Sequence, residues 1–260
     1  MYKRQVLYNA PMVQDYEVTL TDKKELVPEI WHYKFAIPAG QTLDFVAGQY
    51  MLLKIDNNYR QYSIASADTN HNMFELIVET IPGGLGSNYL MNLPVGGKAS
   101  FKGPAGVFTL KETPKDKIFL ATGTGIAPIK AMVESYFERE ASDASLTLFF
   151  GLKNRDGVYL YDEFKALSSQ HPNFNFRICL SREENLTGLD ERGYGTGRVN
   201  KYLDELLADQ EKAVAKPKTE LANNYEYYIC GSKVAVDSLK DYVASLGVLP
   251  ENIFFERFTL

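Results

Sequence analysis

The stretch Lys117-Ile118-Phe119-Leu120-Ala121-Thr122-Gly123-Thr124-Gly125-Ile126-Ala127-Pro128 runs from an unbroken apolar segment through two glycines into a proline-led helix start. A continuous apolar run, rather than an alternating one, marks a strand buried on both faces. The glycines let the backbone turn sharply and approach a ligand. Pro128 suits a first helical turn, whose free N–H groups attract an anion. Two readings stand at this point: a dinucleotide phosphate site, or an ordinary glycine-rich strand-to-helix turn. The glycines do not complete a GxGxxG pattern, so the stretch alone does not decide.

Moving outward toward the C-terminus, the same rhythm repeats. Apolar runs at Leu146 to Gly151, Asn175 to Leu180, Tyr225 to Cys230 and Ile253 to Arg257 alternate with helical patterns. The helices are expected at Pro128 to Glu140, Asp162 to Ser169, Arg198 to Asp209 and Lys233 to Leu246. This predicts an α/β doubly wound fold on a five-stranded parallel sheet. Tyr194 to Thr196 and Ala213 to Asn224 read as loops.

Toward the N-terminus the pattern is different. Tyr16 to Leu20, Ile30 to Ile37, Gln49 to Ile55, Gln61 to Ser66, Met73 to Glu79 and Lys98 to Lys102 read as six short strands. Turn chemistry separates them, as at Pro38-Ala39-Gly40 and Pro94-Val95-Gly96-Gly97. One helix is expected from Ser87 to Leu93. An antiparallel barrel or sandwich fits. The change of character at Lys111 to Asp116 divides the 260 residues into 1–112 and 113–260.

Composition excludes several classes. Lys+Arg is 28 and Asp+Glu 33, for a net charge of −5, so the basic footprint of a nucleic-acid binder is missing. No apolar run approaches the roughly 20 residues of a bilayer span. Met1-Tyr2-Lys3-Arg4-Gln5 leads into no apolar signal region, and the expectation is a cytoplasmic protein. Two cysteines, Cys179 and Cys230, and three scattered histidines make no disulfide framework, cluster or metal site. No metal is expected.

In open α/β sheets ligands sit at the carboxyl ends of strands. Those ends carry Gly123, Thr124 and Gly125, then Cys230-Gly231-Ser232, then Glu256-Arg257-Phe258. A thiol, a carboxylate and a ring would converge there, unless Cys230 is a buried small hydrophobe and Glu256 a solvated charge. In the first region Arg60-Gln61-Tyr62-Ser63 opens a strand, with Arg60 suited to a phosphate and Tyr62 to a flat aromatic ligand. Gly83-Gly84-Leu85-Gly86-Ser87 puts glycines and a serine at a helix start, a second anion site or a plain cap.

Taken in order, these segments resemble the ferredoxin–NADP⁺ reductase superfamily from end to end. Phe45-Val46-Ala47-Gly48-Gln49-Tyr50 resembles its strand before the flavin motif. Arg60-Gln61-Tyr62-Ser63 resembles its R-x-Y-S/T motif, and Gly84-Leu85-Gly86-Ser87 its G-x-x-S/T motif. Gly103-Pro104-Ala105-Gly106-Val107-Phe108, Gly123 to Pro128, Cys230-Gly231 and the terminal Glu256-x-Phe258 complete the set.

The resemblance implies an FAD-binding six-stranded antiparallel Greek-key β-barrel followed by an NADP(H)-binding α/β domain. FMN is the less favoured flavin. Arg60 would contact the flavin pyrophosphate, Tyr62 would pack on the isoalloxazine, and Ser63 would bond near flavin N5. Gly86 N–H and Ser87 would hold the pyrophosphate, with Gly84 allowing close approach. Thr124 and its glycines would line the nicotinamide channel. Cys230 would sit near nicotinamide C4, Glu256 near the flavin edge, and Phe258 on the flavin face as a gate. Plant-type members end with Tyr at this position, so Phe258 and the two residues after it depart from their pattern.

Ser181-Arg182-Glu183, followed by Arg192-Gly193-Tyr194 and Arg198, resembles the 2′-phosphate site of NADP-dependent members. Arg182 and Arg192 would hold the phosphate while Tyr194 stacks on adenine. The implied activity is hydride transfer between NADPH and FAD, with single electrons exchanged with a separate carrier, ferredoxin or flavodoxin. Alternatives are the reductase component of an oxygenase, a free flavin or ferric reductase, a non-enzymatic electron-transfer subunit, or a nucleotide-binding regulator without flavin. Lys3, Arg4, Lys23 and Lys24 would help dock an acidic carrier, or are solvated surface charges. The two domains use the whole length, so the acceptor is expected as a separate molecule.

Overall fold

A computed structural model describes residues 13–139 and 143–258. Lys3, Arg4, Glu140 and the two residues after Phe258 lie outside the described residues.

The first half is an antiparallel barrel. Its strands are β1 (Gln14–Val27), β2 (Ile30–Ala36), β3 (Tyr50–Ile55), β4 (Asn58–Ser63), β5 (Met73–Glu79) and β6 (Lys98–Ala105). They form one six-stranded sheet in the order β4-β3-β6-β1-β2-β5. The Ile64–Leu76 bridge joins the two edges and closes it. Period-two alternation drives the closure: Tyr16, Val18 and Leu20 of β1, Tyr33 and Phe35 of β2, and Met51, Leu53 and Ile55 of β3 all point inward. Phe35, Phe74 and Phe101 meet at the centre with ring centroids 5.2 to 5.3 Å apart. β1 runs past the expected Leu20 because Asp22 to Val27 pairs with β2 in a hairpin. That extension begins with Asp22-Lys23-Lys24-Glu25, polar on both faces, so alternation does not reveal it.

The second half is a six-stranded parallel sheet: β7 (Asp116–Thr122), β8 (Leu146–Leu152), β9 (Phe174–Leu180), β10 (Tyr194–Thr196), β11 (Tyr225–Ser232) and β12 (Ile253–Phe258). Their order is β10-β9-β8-β7-β11-β12. Ile118, Phe119, Leu120 and Ala121 are fully buried, as the apolar run requires. The helices of this half are α2 (Ile126–Glu138), α3 (Tyr161–Gln170), α4 (Val199–Val214), α5 (Lys218–Ala222) and α6 (Lys233–Ser245), while α1 (Leu85–Asn92) belongs to the barrel.

Two local readings change. The sheet has six strands rather than five, because Tyr194 to Thr196 pairs with Ile178 to Leu180 of β9. A three-residue strand is too short to show a period. The stretch 213–224 is not all loop, because α5 is held down by buried Leu221 and Ala222.

The segment joining the halves is pinned to the sheet. Lys111 N–H donates to the Tyr228 hydroxyl at 2.9 Å, and the Thr113 hydroxyl donates to Glu226 at 2.8 Å. Glu226 also pairs with the fully buried Lys117 at 3.2 Å.

Candidate functional site

On the barrel side the site is built on the edge strand β4. Arg60 and Gln61 are exposed, Tyr62 is half-buried and Ser63 is buried. Burial pushes the Tyr62 hydroxyl up to about 12, so it stays a neutral donor, although the nearby Arg60 charge works the other way. α1 starts directly against this strand. A Cβ on Gly86 would fall 2.2 Å from the Tyr62 hydroxyl and 3.0 Å from Arg60 Cγ, so only glycine fits. Gly83, at φ 73, supplies the left-handed turn before the helix. The first intrahelical bond runs from Asn88 N–H to Gly84 O. The N–H groups of Leu85, Gly86 and Ser87 therefore precede the ladder and are available to an anion beside Arg60.

Ser87 also serves the turn itself. Its hydroxyl is turned inward, accepting from Ile81 N–H at 3.1 Å and donating to Gly84 O at 3.5 Å. It braces the glycine turn, and only its backbone N–H is left to face a phosphate.

The two halves meet at Ser63, Cys230 and Glu256. Register places Glu256 beside Cys230 and Cys230 beside Ala121, at the carboxyl ends of β12, β11 and β7. The Ser63 hydroxyl donates to Glu256 Oε2 at 3.1 Å. Burial pushes the Glu256 carboxyl up to about 7, against a smaller lowering by Ser63. Near neutrality this carboxyl both holds and releases a proton. The Cys230 thiol is fully buried and pushed well upward by burial, with the Glu256 charge adding to it. It therefore stays a thiol at neutral pH.

The glycine turn is fitted to the same place. A Cβ on Gly125 would fall 2.4 Å from the Cys230 carbonyl oxygen, so the turn lies directly on the Cys230–Gly231 peptide. Gly123 has φ 53 and faces open space, and Thr124 follows it in a short 3-10 turn leading into α2. Phe258 sits beside Ser232 in register and packs partly buried against the sheet core.

The expected 2′-phosphate residues do not all converge. Gly197 N–H donates to Leu180 O, so Ser181, Arg182 and Arg198 lie together past the ends of β9 and β10, with Arg182 and Arg198 exposed. Arg192 precedes β10 and stands at its opposite end. Tyr194 is 7% exposed and stacked on Tyr161, with ring centroids 4.6 Å apart. It presents no open face for adenine, because β10 is a strand and its side chain enters the core. The half-exposed Tyr161 covers it. Sequence reasoning missed Arg155, which lies just past β8 on the same edge. Arg155 bonds Glu183 at 3.1 Å and the carbonyls of Thr187 and Asn185, and so shapes the 183–187 loop. Its place after a strand's carboxyl end was the available signal. Among the described residues no cluster of three metal-ligating side chains occurs.

These features define a two-domain flavin and nucleotide oxidoreductase. An oxidoreductase FAD-binding domain model matches residues 17–110 and an oxidoreductase NAD-binding domain model matches residues 119–240. The chain is 29% identical to ferredoxin–NADP reductase B of Sorangium cellulosum, over 94% of this chain and 98% of that one. It is 26% identical to the toluate 1,2-dioxygenase electron transfer component of Pseudomonas putida, over 94% of this chain and 67% of that one. The fold matches a ferredoxin NADP⁺ reductase from Neisseria gonorrhoeae, solved with FAD and NADP bound, at TM-score 0.73 and 21% identity, over 94% and 98% of the two chains. The chain belongs to the ferredoxin–NADP⁺ reductase superfamily. It is an FAD-dependent oxidoreductase of the electron-transfer type that uses a nicotinamide dinucleotide. No helix among the described residues is long and apolar enough to cross a membrane.

Proposed function

We propose that this enzyme moves electrons between NADPH and a separate one-electron carrier, ferredoxin or flavodoxin, through FAD. The observation that carries the reading is the Ser63–Glu256 contact, which sets a flavin-strand hydroxyl and a neutral-range carboxyl at one point between the domains. FAD, when bound, supplies the step between two-electron nicotinamide chemistry and single-electron carriers.

The chain's own groups fit that cofactor. Arg60 and the first-turn N–H groups of α1 would hold the pyrophosphate, and Tyr62 would set the ring's height. Ser63 and Glu256 would hold a proton at the ring edge. Gly125 lets the nucleotide backbone come close to Cys230, whose neutral thiol packs without adding charge. Phe258, at the end of β12, would cover the ring until the nicotinamide displaces it. NADPH is favoured over NADH by Arg182 and Arg198, two exposed guanidinium groups past adjacent strand ends, a setting suited to a phosphate.

The test is reconstitution. NADPH should drive reduction of a terminal cytochrome only when ferredoxin or flavodoxin is added. Equal rates without either carrier would refute the carrier assignment. A rate restored only by an oxygenase would favour the oxygenase-reductase reading, which the Pseudomonas putida relative supports.

A further inference from the structure

α2 is buried on nearly every side, between the barrel and the parallel sheet. It starts at Ile126, immediately after the glycine turn that lies on the Cys230 peptide. From there it grips the barrel at two points just beyond the flavin strand. The Lys130 ammonium is 7% exposed and donates to Ala65 O at 3.2 Å, two residues after Ser63. The same ammonium pairs with Glu134 of its own helix at 2.8 Å and with Glu75 of β5 at 3.5 Å. At the other end of α2, the Arg139 guanidinium reaches Asp68 Oδ2 at 2.6 Å. The Asp68 carboxylate is fully buried and also accepts Ala47 N–H at 2.8 Å. The Asp68 backbone N–H donates to Ser135 Oγ at 3.0 Å.

Followed residue by residue, these contacts close a ring. Ser63 leads to Ala65 and Asp68, then through Lys130 and Arg139 into α2. The helix leads to Gly125, Gly125 lies on Cys230, and Cys230 is paired with Glu256, which returns to Ser63 at 3.1 Å. The Ser63–Glu256 contact is one link, and a rigid helix with two ionic grips is the rest. Buried ions set partners in one geometry because each is badly placed without the other.

We propose that Lys130 and Arg139 are positioning residues for electron transfer: through Ala65 and Asp68 they fix the barrel on α2 so that Ser63 and Glu256 meet. Neither touches the reacting atoms. The proposal rests on the flavin–nicotinamide reading for its catalytic consequence, and its structural half is tested without cofactor.

The structural arm uses the full chain labelled at Lys54→Cys on β3 and Lys212→Cys on α4. Both positions are exposed, whereas the native Cys179 and Cys230 are fully buried and resist labelling. Electron–electron distance measurement should give one narrow distribution in this background. It should broaden in Lys130→Met and in Arg139→Met. The kinetic arm follows NADPH-driven flavin reduction. The same variants should lose kcat by roughly ten- to a hundredfold, as misplacement of about an ångström does. KM for the coenzyme should stay within about twofold, since no contact to substrate is removed. Arg139→Lys should recover part of both effects.

Arg139 is 35% exposed at a helix end, so its variants keep the test open if Lys130→Met does not fold. An unchanged distance distribution overturns the proposal, whatever the rate. A broadened distribution with unchanged kcat overturns it equally. If the parent chain is not reduced by NADPH, the functional reading fails, and the distance arm still decides whether these two residues fix the domains.

Discussion

Ser63 and Glu256 lie 193 positions apart, and the serine hydroxyl donates to the carboxylate at 3.1 Å across the two domains. The barrel supplies the donor and the last strand of the sheet supplies the acceptor. The contact places a carboxyl with a pKa near 7 between β4 and the sheet edge that carries Cys230.

The first prediction concerns pH. Folding raises Glu256 from an ordinary 4.5 to about 7, chiefly through burial. Between those values the folded chain keeps a proton that the unfolded chain releases. Stability therefore falls as pH rises through this window and levels off above it. The full effect is roughly 3 kcal/mol, from about 1.4 kcal/mol per unit. Glu256→Gln does not titrate, so its melting temperature should gain on the parent's across the same window. Parallel melting profiles would contradict the buried, protonated state.

Gly86 gives the second. Alanine there would place a methyl group 2.2 Å from the Tyr62 hydroxyl and 3.0 Å from Arg60 Cγ. The Tyr62 ring or the start of α1 has to move. FAD affinity should drop by about tenfold or more, since misfitted contacts of this kind cost upward of 1 kcal/mol. Flavin fluorescence titration reads it directly, and an unchanged affinity would show that this junction does not cradle the cofactor.

Coenzyme choice is the third. Arg182→Ala and Arg198→Ala should each lower kcat/KM for NADPH by roughly tenfold or more, the worth of one charge-assisted phosphate contact. NADH should be nearly unaffected. Arg192→Ala should do less, because Arg192 stands at the far end of β10. Equal losses with both coenzymes would remove the 2′-phosphate assignment.

The Cys230 thiol gives the fourth. Fully buried and pushed well upward, it should resist alkylation by iodoacetamide at neutral pH in the native chain and react on denaturation. Rapid native labelling, located by mass spectrometry, would mean that the site opens far more than the packing of Gly125 on Cys230 allows.

Much of this was legible in the residues, for reasons that differ by element. The run from Ile118 to Ala121 announces a central strand because both its faces are buried. The barrel strands announce themselves by alternation. Glycines that must accept a close neighbour, Gly86 and Gly125, stand in the motifs that name them. What escaped is what depends on burial and reach. β10 is too short for a period, so Tyr194 read as an open ring when it is a core residue under Tyr161. The bracing of the glycine turn by the Ser87 hydroxyl, which accepts from Ile81 N–H, has no sequence signal of its own. Arg155, Lys130 and Arg139 belong to no motif. Their partners Glu183, Glu75 and Asp68 are distant in sequence, and only the fold brings them together.

The central claim is that this chain carries FAD and accepts electrons from NADPH. The direct measurement is anaerobic: saturate the purified chain with FAD, remove the excess, add NADPH and follow the flavin absorbance. The account predicts retained flavin and rapid bleaching, slower with NADH. A chain that keeps no flavin, or whose flavin stays oxidised with both coenzymes, would contradict it.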